Sequence, residues 1–519
     1  MMLNFRALQT PSDDGEILIE PAFDLLGDLA RQNRARLAEA SGALAGAGWA
    51  ALRRHTRRML NIPDDAVVIM TGHQPEFIHA GVWAKHVVAQ QLAETLDGVA
   101  VNLVVDNDVP KAAALAIPGV SADGRINLQH VPFAEWPAGW PYESLPALGR
   151  EAIERIAGEV ARCMGSAYAA SMMPTYLAAL REAGAPDYVT QAVAGRRAVE
   201  ASFGVSLQDR RASAVWGGPI LADWLRRPRA FAEAYNAALD AYRREQNVRS
   251  PNRPIPSLRI QDGRVELPVW AYGPGEPRQR LFVEPAEDEV RIFAEDVLIG
   301  RVAMALLADP VAGGTAIQTV CRKALRPRAL ALTLWARLLA CDLFIHGIGG
   351  AKYDRITDTI IRSYYGLEPP AMACVSATLR LPLPRTPVSA ADRFAAQRRV
   401  RDVFFQPDRW AMDVPEAAPL LAERRSAIER SDALRQTNGR NRPARREIFD
   451  RIRAVNARLV ELRPEIVAEA QQALARLDVR QRNDRIATGR DYFFALLPRE
   501  KLESLCRRLR AVGNGRAVL

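Results

Sequence analysis

Six histidines are spread over 519 residues, and two of them, His73 and His79, fall in one short stretch. It reads Thr71-Gly72-His73-Gln74-Pro75-Glu76, then Phe77 and Ile78 before His79, and His86 follows. A histidine at a helix start can contact a phosphate or a carboxylate, or serve as general acid and base. A second stretch has the same make-up: His346-Gly347-Ile348-Gly349-Gly350-Ala351-Lys352-Tyr353-Asp354. Its glycines let the backbone approach a ligand and leave N–H groups to face an oxyanion. Each stretch carries a lysine, Lys85 and Lys352. A third polar cluster, Asp106-Asn107-Asp108, has the chemistry to hold an amine or a metal, or to form a solvated Asx turn. The candidate catalytic residues are therefore His73, His79, Asp106 and His346. Thr71, Gly72, Gln74, Lys85, Asp108, Gly347, Gly349, Gly350, Lys352 and Tyr353 are the candidates for binding substrate or nucleotide. Their chemistry suits gripping an anion and stabilising charge during a transfer, with ATP or ADP as the candidate cofactor.

Other chemistries lack their motifs. HExxH, GxSxG, GxxxxGK[ST] and GxGxxG with its distal acid are absent. His73 and His79 are six apart, the wrong spacing for two ligands on one helical face, so no metal is expected.

The elements that must position these residues follow from apolar spacing. Ala66 to Met70 is a short apolar run that reads as a buried strand, and from Gly81 the spacing turns helical. Val99 to Val105 reads as a second strand, ending at the Asp106–Asp108 cluster. Asp342 to Ile345 is a third, with a helix after its glycine loop. Strand, polar turn, helix is the unit of an open α/β sheet, whose ligands sit at the carboxyl ends of strands.

Around this core the chain divides into expected regions. Residues 1–60 read as an amphipathic helical segment from about Phe23, with Leu25, Leu26, Leu29 and Leu37 inward. Residues 61–388 hold the core, with a helical insertion at about 125–250 and a β-rich one at about 251–300. Residues 125–150, rich in Trp and Pro, read as a packed loop. Val265–Trp270 and Gln279–Phe293 read as strands of the β-rich insertion. In 389–485 a helix starts at Ser389, and Ile448, Ile452, Val455, Leu459, Leu462 and Ile466 recur in steps of four and three. That is a heptad seam, with Pro464 set to kink or restart the helix. With a turn at Asn438-Gly439 and an earlier helix bearing Leu421, Ile428 and Leu434, it predicts an antiparallel coiled-coil arm that pairs two subunits. Residues 486–519 read as a strand, Tyr492 to Leu497, and a final helix docked on the core.

Composition bounds the partners. Hydrophobic residues make up 49% and no apolar stretch is long enough to span a bilayer, so no membrane is expected. The first residues lack a signal peptide's pattern, and five cysteines stand far apart with no CxxC pair, which points to reduced thiols in a cytoplasm. Net charge is +10, yet no nucleic-acid motif appears, so the arginines read as the solvated face of the arm and nucleic acid is not the expected partner.

The Thr71–Gln74 turn, the Asp106–Asp108 cluster, the 313–354 segment and the C-terminal seam resemble, in order, the cysteine-adding enzymes of bacillithiol biosynthesis (BshC). The resemblance spans most of residues 60–515 in layout, with close similarity in short patches. It implies a Rossmann-like, nucleotidylyltransferase-like parallel sheet with insertions and a coiled-coil arm. It also implies ligase-type joining of cysteine to a glucosaminyl-malate amine. The site residues it implies are the Thr71–Gln74 turn, Asp106, Asp108 and Gly347 to Tyr353. The family's turn reads TGQQ where this chain has His73, and its loop reads GGPGE where this chain has the 346–354 sequence. The HQPxF turn also resembles, over a shorter stretch, the WbqC-like proteins, which implies carbohydrate or surface-glycan metabolism. Two other readings stand beside the enzyme: a non-catalytic nucleotide- or metabolite-binding scaffold that dimerises through the arm, and a nucleic-acid-associated protein using its arginines.

Overall fold

The computed structural model describes residues 3–5, 8–40, 43–44, 46–111, 113–250, 252–438 and 441–513. The fold is mixed α/β. Among these residues, six strands form the main sheet: β1 (Ile17–Glu20), β2 (Val68–His73), β3 (Val99–Val104), β4 (Gln208–Arg211), β5 (Leu343–His346) and β6 (Met372–Ala377). The spatial order is β1-β6-β5-β2-β3-β4, with β1 antiparallel to β6 and the other neighbours parallel. From β2 the chain steps outward to β3 and β4, then crosses to the other side of β2 for β5 and β6. The order therefore reverses between β2 and β5, and the carboxyl ends of these two strands form the switch point, the crevice where open α/β sheets take their ligands.

Both faces of this sheet are covered, which is why its inner strands read as largely apolar runs, whereas the edge strand β4 is Gln-Asp-Arg-Arg. Ile69, Ile345 and Val375 face one core, shared with α1 (Phe23–Glu39), α2 (Ala80–Thr95) and the helix Arg499–Gly513. Val68, Met70, Leu103 and Phe344 face another, shared with helices 49–59, 219–226 and 228–245 and with α3 (Ile348–Ile360). A second sheet is antiparallel and includes Arg264–Tyr272, Gln279–Pro285, Glu289–Ala294, Val297–Ala303 and Ala324–Pro327.

Several expectations change. The strand expected at 66–70 runs on through His73, because Gly72 and His73 pair with Leu103 and Val104. The segment 1–60 is not only helical: Ile17–Glu20 closes the sheet edge against β6. The region read as a packed loop begins inside a hairpin, Ala114–Val120 with Ile126–Pro132. Gln279–Phe293 holds two strands, and Gly313-Gly314-Thr315 lies inside a helix, Pro310–Val320. Tyr492–Leu497 is no strand. Phe493, Phe494, Leu496 and Leu497 all bury into the core, and the backbone turns through a short 3-10 segment, Phe494–Leu496, to allow it. Packing overrides the β-preference of an aromatic run.

Residues 118–128 and 382–489 form a separate unit. Its helices are α4 (Ala390–Phe405), α5 (Ala418–Asn438), α6 (Arg442–Leu462) and α7 (Pro464–Ala487). Ser389 and Asp392 form a reciprocal capping box at the start of α4. Val455 and Leu459 on α6 bury against Leu420 of α5, with Ala411 and Ala417. Pro464 restarts the helix as the first residue of α7 after a break at Arg463. Gly439 of the expected turn lies outside the described residues. No helix among the described residues is long and apolar enough to cross a membrane.

Candidate functional site

The crevice between β2 and β5 is built from the bottom of the turn upward. Thr71 Oγ1 donates to Ile345 O at 3.0 Å and fixes the two strand ends together. After β2 the chain turns through Gln74–Ile78, and His79 caps α2: its Nδ1 accepts from Gly81 N at 3.1 Å. That bond assigns the proton to Nε2. The first turn of α2 is pressed against the end of β6. A Cβ on Gly81 would stand 2.7 Å from Ala377 O and 2.6 Å from Arg490 Nη2, so only glycine fits. On the other wall, Gly347 caps α3, and a Cβ on Gly347 or Gly349 would meet nothing within 4 Å. The start of α3 is thus open.

Positive charges predominate here, against the carboxylates of Glu20, near Cys374, and of Asp491. Lys85 is 3% exposed, and its Nζ donates to Gly72 O at 2.9 Å. Among the described residues it has no salt bridge, and burial pushes its pKa down to about 8. Arg490 donates from Nη2 to Ser376 Oγ at 3.0 Å, while its buried Nη1 has no hydrogen-bond partner among the described residues. Its nearest carboxylate, Asp491, is 3.8 Å from Nε and 84% exposed. Burial lowers the pKa of this guanidinium, with Asp491 opposing. Cys374 lies within the fields of Lys85 and Lys352, yet burial dominates and pushes its thiol up to about 12. Cations held at the N-terminus of a helix without matching carboxylates leave a field that favours an anion.

The two histidines of the turn are neutral. Burial, then the charge of Lys85, brings His73 down to about 3, and its Nδ1 lies 3.1 Å from Gln74 O. Burial, then Arg490, brings His79 down to about 4 against the pull of Asp491. Each is therefore a dipolar contact at neutral pH. His79 offers Nε2–H as a donor.

Other candidates are committed elsewhere. His346 is 5% exposed and its Nε2 is 3.0 Å from Asp354 Oδ2. Asp354 also accepts from Arg337 Nη1 at 2.6 Å and Thr333 Oγ1 at 2.7 Å. Burial alone would raise the pKa of this carboxyl, but Arg337 and then His346 hold it far below the usual range. This network locks β5 to α3, and His346 belongs to the core. Asp106 is wholly buried. It accepts from Arg211 Nε at 2.7 Å, Ser213 N at 2.9 Å and Ser213 Oγ at 2.5 Å, and so joins the ends of β3 and β4. Asp106 is a structural carboxylate, not an amine or metal holder, because it is wholly buried and three of its roughly four acceptor sites are taken inside the protein. Asp108 accepts from Gln74 Nε2 and from Arg278 Nη1, each at 2.9 Å. Tyr353 is 48% exposed and its ring lies edge-on to Tyr242, 6.3 Å away. Lys352 is exposed on the first turn of α3. No cluster of metal-ligating residues occurs among the described residues.

Of the predicted residues, the crevice gathers Thr71, Gly72, His73, His79, Lys85, Gly347 and Gly349. Arg490 and Ser376 were missed: Ser376 is a lone polar residue in an apolar strand, and Arg490 is one more arginine at the end of an arginine-rich stretch, with no local pattern to single it out. No protein-family profile matches the chain, and no curated protein matches its sequence.

Proposed function

We propose that this chain is an enzyme with a Rossmann-like, nucleotidylyltransferase-like core. It binds the phosphate of a nucleotide, or the carboxylate of a small acidic substrate, in the crevice between β2 and β5. The observation that carries this reading is Lys85, a buried ammonium with one backbone carbonyl and, among the described residues, no salt bridge. A charge left in that state costs stability unless a ligand offsets it. Beside it, the α2 N-terminus, His79 Nε2–H, Arg490 and the open start of α3 supply donors for an oxyanion. Such a set stabilises negative charge as a phosphoryl or acyl group is transferred, which is the electrostatic requirement of transferase and ligase chemistry. The resemblance to the cysteine-adding enzymes of bacillithiol biosynthesis favours a ligase acting on an amine, in a cytoplasmic setting.

The test is a thermal-shift series on the full chain with ATP, ADP, pyrophosphate, citrate, cysteine and glycosyl-malates. A ligand that binds only the folded state raises its melting temperature. Polyanions are expected to raise it in the wild type and to lose that effect in Lys85→Met and Arg490→Met. If no polyanion shifts the wild type, the reading fails.

A second reading, a scaffold dimerising through a coiled-coil arm, is favoured by the exposed Phe394, Phe405, Met412 and Phe449 of the second unit, from 50% to 77% accessible. Light scattering of wild type against Phe394→Ser/Phe449→Ser separates it: a monomer in both removes the arm's role.

A further inference from the structure

A cleft of about 190 Å³ lies beside the histidine turn. Trp136, Tyr142, Tyr188 and Phe493 line it, together with the carboxylates of Glu76 and Asp491. The rings do not lie in one plane. Trp136 meets Tyr188 at 64° with centroids 4.6 Å apart, and Tyr142 stacks on Tyr188 at 6.1 Å. Tyr142, Tyr188 and Phe493 are 2–3% exposed and form its packed floor, while Trp136 is only half-buried; aromatic rings bordering a space attract a cation through their negative faces. Glu76 reinforces this: it accepts from Tyr142 Oη at 3.1 Å. The chain already brings an ammonium to that carboxylate. Lys111 Nζ stands 3.9 Å from Glu76 Oε2 on a side chain that is 72% exposed, so the contact is marginal and easily displaced.

We propose that this cleft binds a small organic ammonium, which takes the place of the Lys111 ammonium at Glu76 between the aromatic rings. Glu76 belongs to the same turn as His73 and His79, and Asp491 Oδ1 lies 4.0 Å from His79 Nε2. The cleft and the anion crevice therefore share a wall, and a cation held here stands next to an anion held there. That this ammonium is the amine-bearing reactant rests on the enzyme reading above; the cleft's preference for a cation does not.

The experiment titrates the full chain with choline and, separately, with 3,3-dimethylbutan-1-ol, its uncharged isostere, at constant ionic strength. Tryptophan fluorescence and melting temperature report binding. Choline is expected to saturate, with the alcohol at least about tenfold weaker, the scale of a desolvated cation–π contact with a carboxylate. Glu76→Gln should weaken choline by about tenfold while keeping the wild-type circular dichroism. Lys111→Ala should bind choline at least as tightly as wild type, and Trp136→Phe should lose most of the fluorescence change. The proposal is overturned if the alcohol or adenosine binds as tightly as choline, or if Glu76→Gln binds choline unchanged. Lys85→Met separates the two sites. Choline binding retained there, with pyrophosphate binding lost, supports both. Pyrophosphate binding without choline binding in the wild type sinks the cleft alone, and the converse sinks the anion site alone.

Discussion

The two ends of β2 and β5 treat charge in opposite ways. At the amino end Asp342 is buried and saturated. Arg53 Nη2 reaches Oδ1 at 2.6 Å, Arg57 Nη2 reaches both oxygens at 2.7 Å, and Val68 N donates to Oδ2 at 2.8 Å. Other donors of the two arginines go to carbonyls such as Leu338 O and Ala66 O, while the buried Nε of Arg57 has no hydrogen-bond partner among the described residues. At the carboxyl end buried Lys85 and half-buried Arg490 have far less. One end uses its ions to hold strands and helix 49–59 together. The other keeps cations whose needs the protein itself leaves incompletely met. The contrast separates structural charge from charge waiting for a ligand, at two places only one strand length apart.

Substitutions can break that contrast. The largest effect is expected from Asp342→Asn, which strands two buried guanidiniums and should cost about 3–5 kcal/mol in urea unfolding. Lys85→Met, at the other end, should lie within about 1 kcal/mol of wild type or above it, since it removes an uncompensated charge. A loss as large as that of Asp342→Asn would make Lys85 a structural ion and erase the distinction.

The pH dependence sharpens it. Folded Lys85 releases its proton near pH 8, while an ordinary lysine does so near 10.5. Between those values the unfolded chain binds more protons, so Lys85 makes stability rise with pH across that window, by up to about 3 kcal/mol, and adds a constant cost below it. Polyanion affinity should fall over the same range as the ammonium is lost. Lys85→Met should flatten both curves, measured by unfolding and by thermal shift from pH 7 to 10.5. His79→Ala removes the cap of α2 and should cost about 1 kcal/mol. Lys352→Ala, on an exposed face, should change stability by less than about 0.5 kcal/mol and weaken polyanion binding only a few-fold.

The strand–turn–helix of 66–95 was legible because its parts are adjacent: an apolar run, a polar turn and a helical period need no distant partner to be recognised. The helix at 348–360 was legible only in part: it was expected after a glycine loop reaching Asp354, but it starts at Ile348, so Gly349, Gly350, Lys352 and Tyr353 lie in its first turns. The role of His346 was not legible. Its spacing in a glycine loop looked like that of a ligand contact, but Arg337 and Thr333, which draw Asp354 and the histidine inward, sit on another element. Asp106 misled similarly, since Arg211 and Ser213 lie a hundred residues away. Arg490 left no local trace at all. The edge strand Ile17–Glu20 is too short for its alternation to stand out, and only its pairing with Met372–Ala377 defines it.

Arg490 also sets a timetable. The turn that it faces is synthesised about four hundred residues earlier. At ordinary translation speeds of about 5–20 residues per second, roughly 20 to 80 s separate the two. Through that interval a ribosome-bound chain can pair β2 with β3, but its crevice lacks the guanidinium that lies over the first turn of α2. Ligand capture would then begin only once residue 490 has emerged, so products stalled before that point would neither sequester the ligand nor act on it.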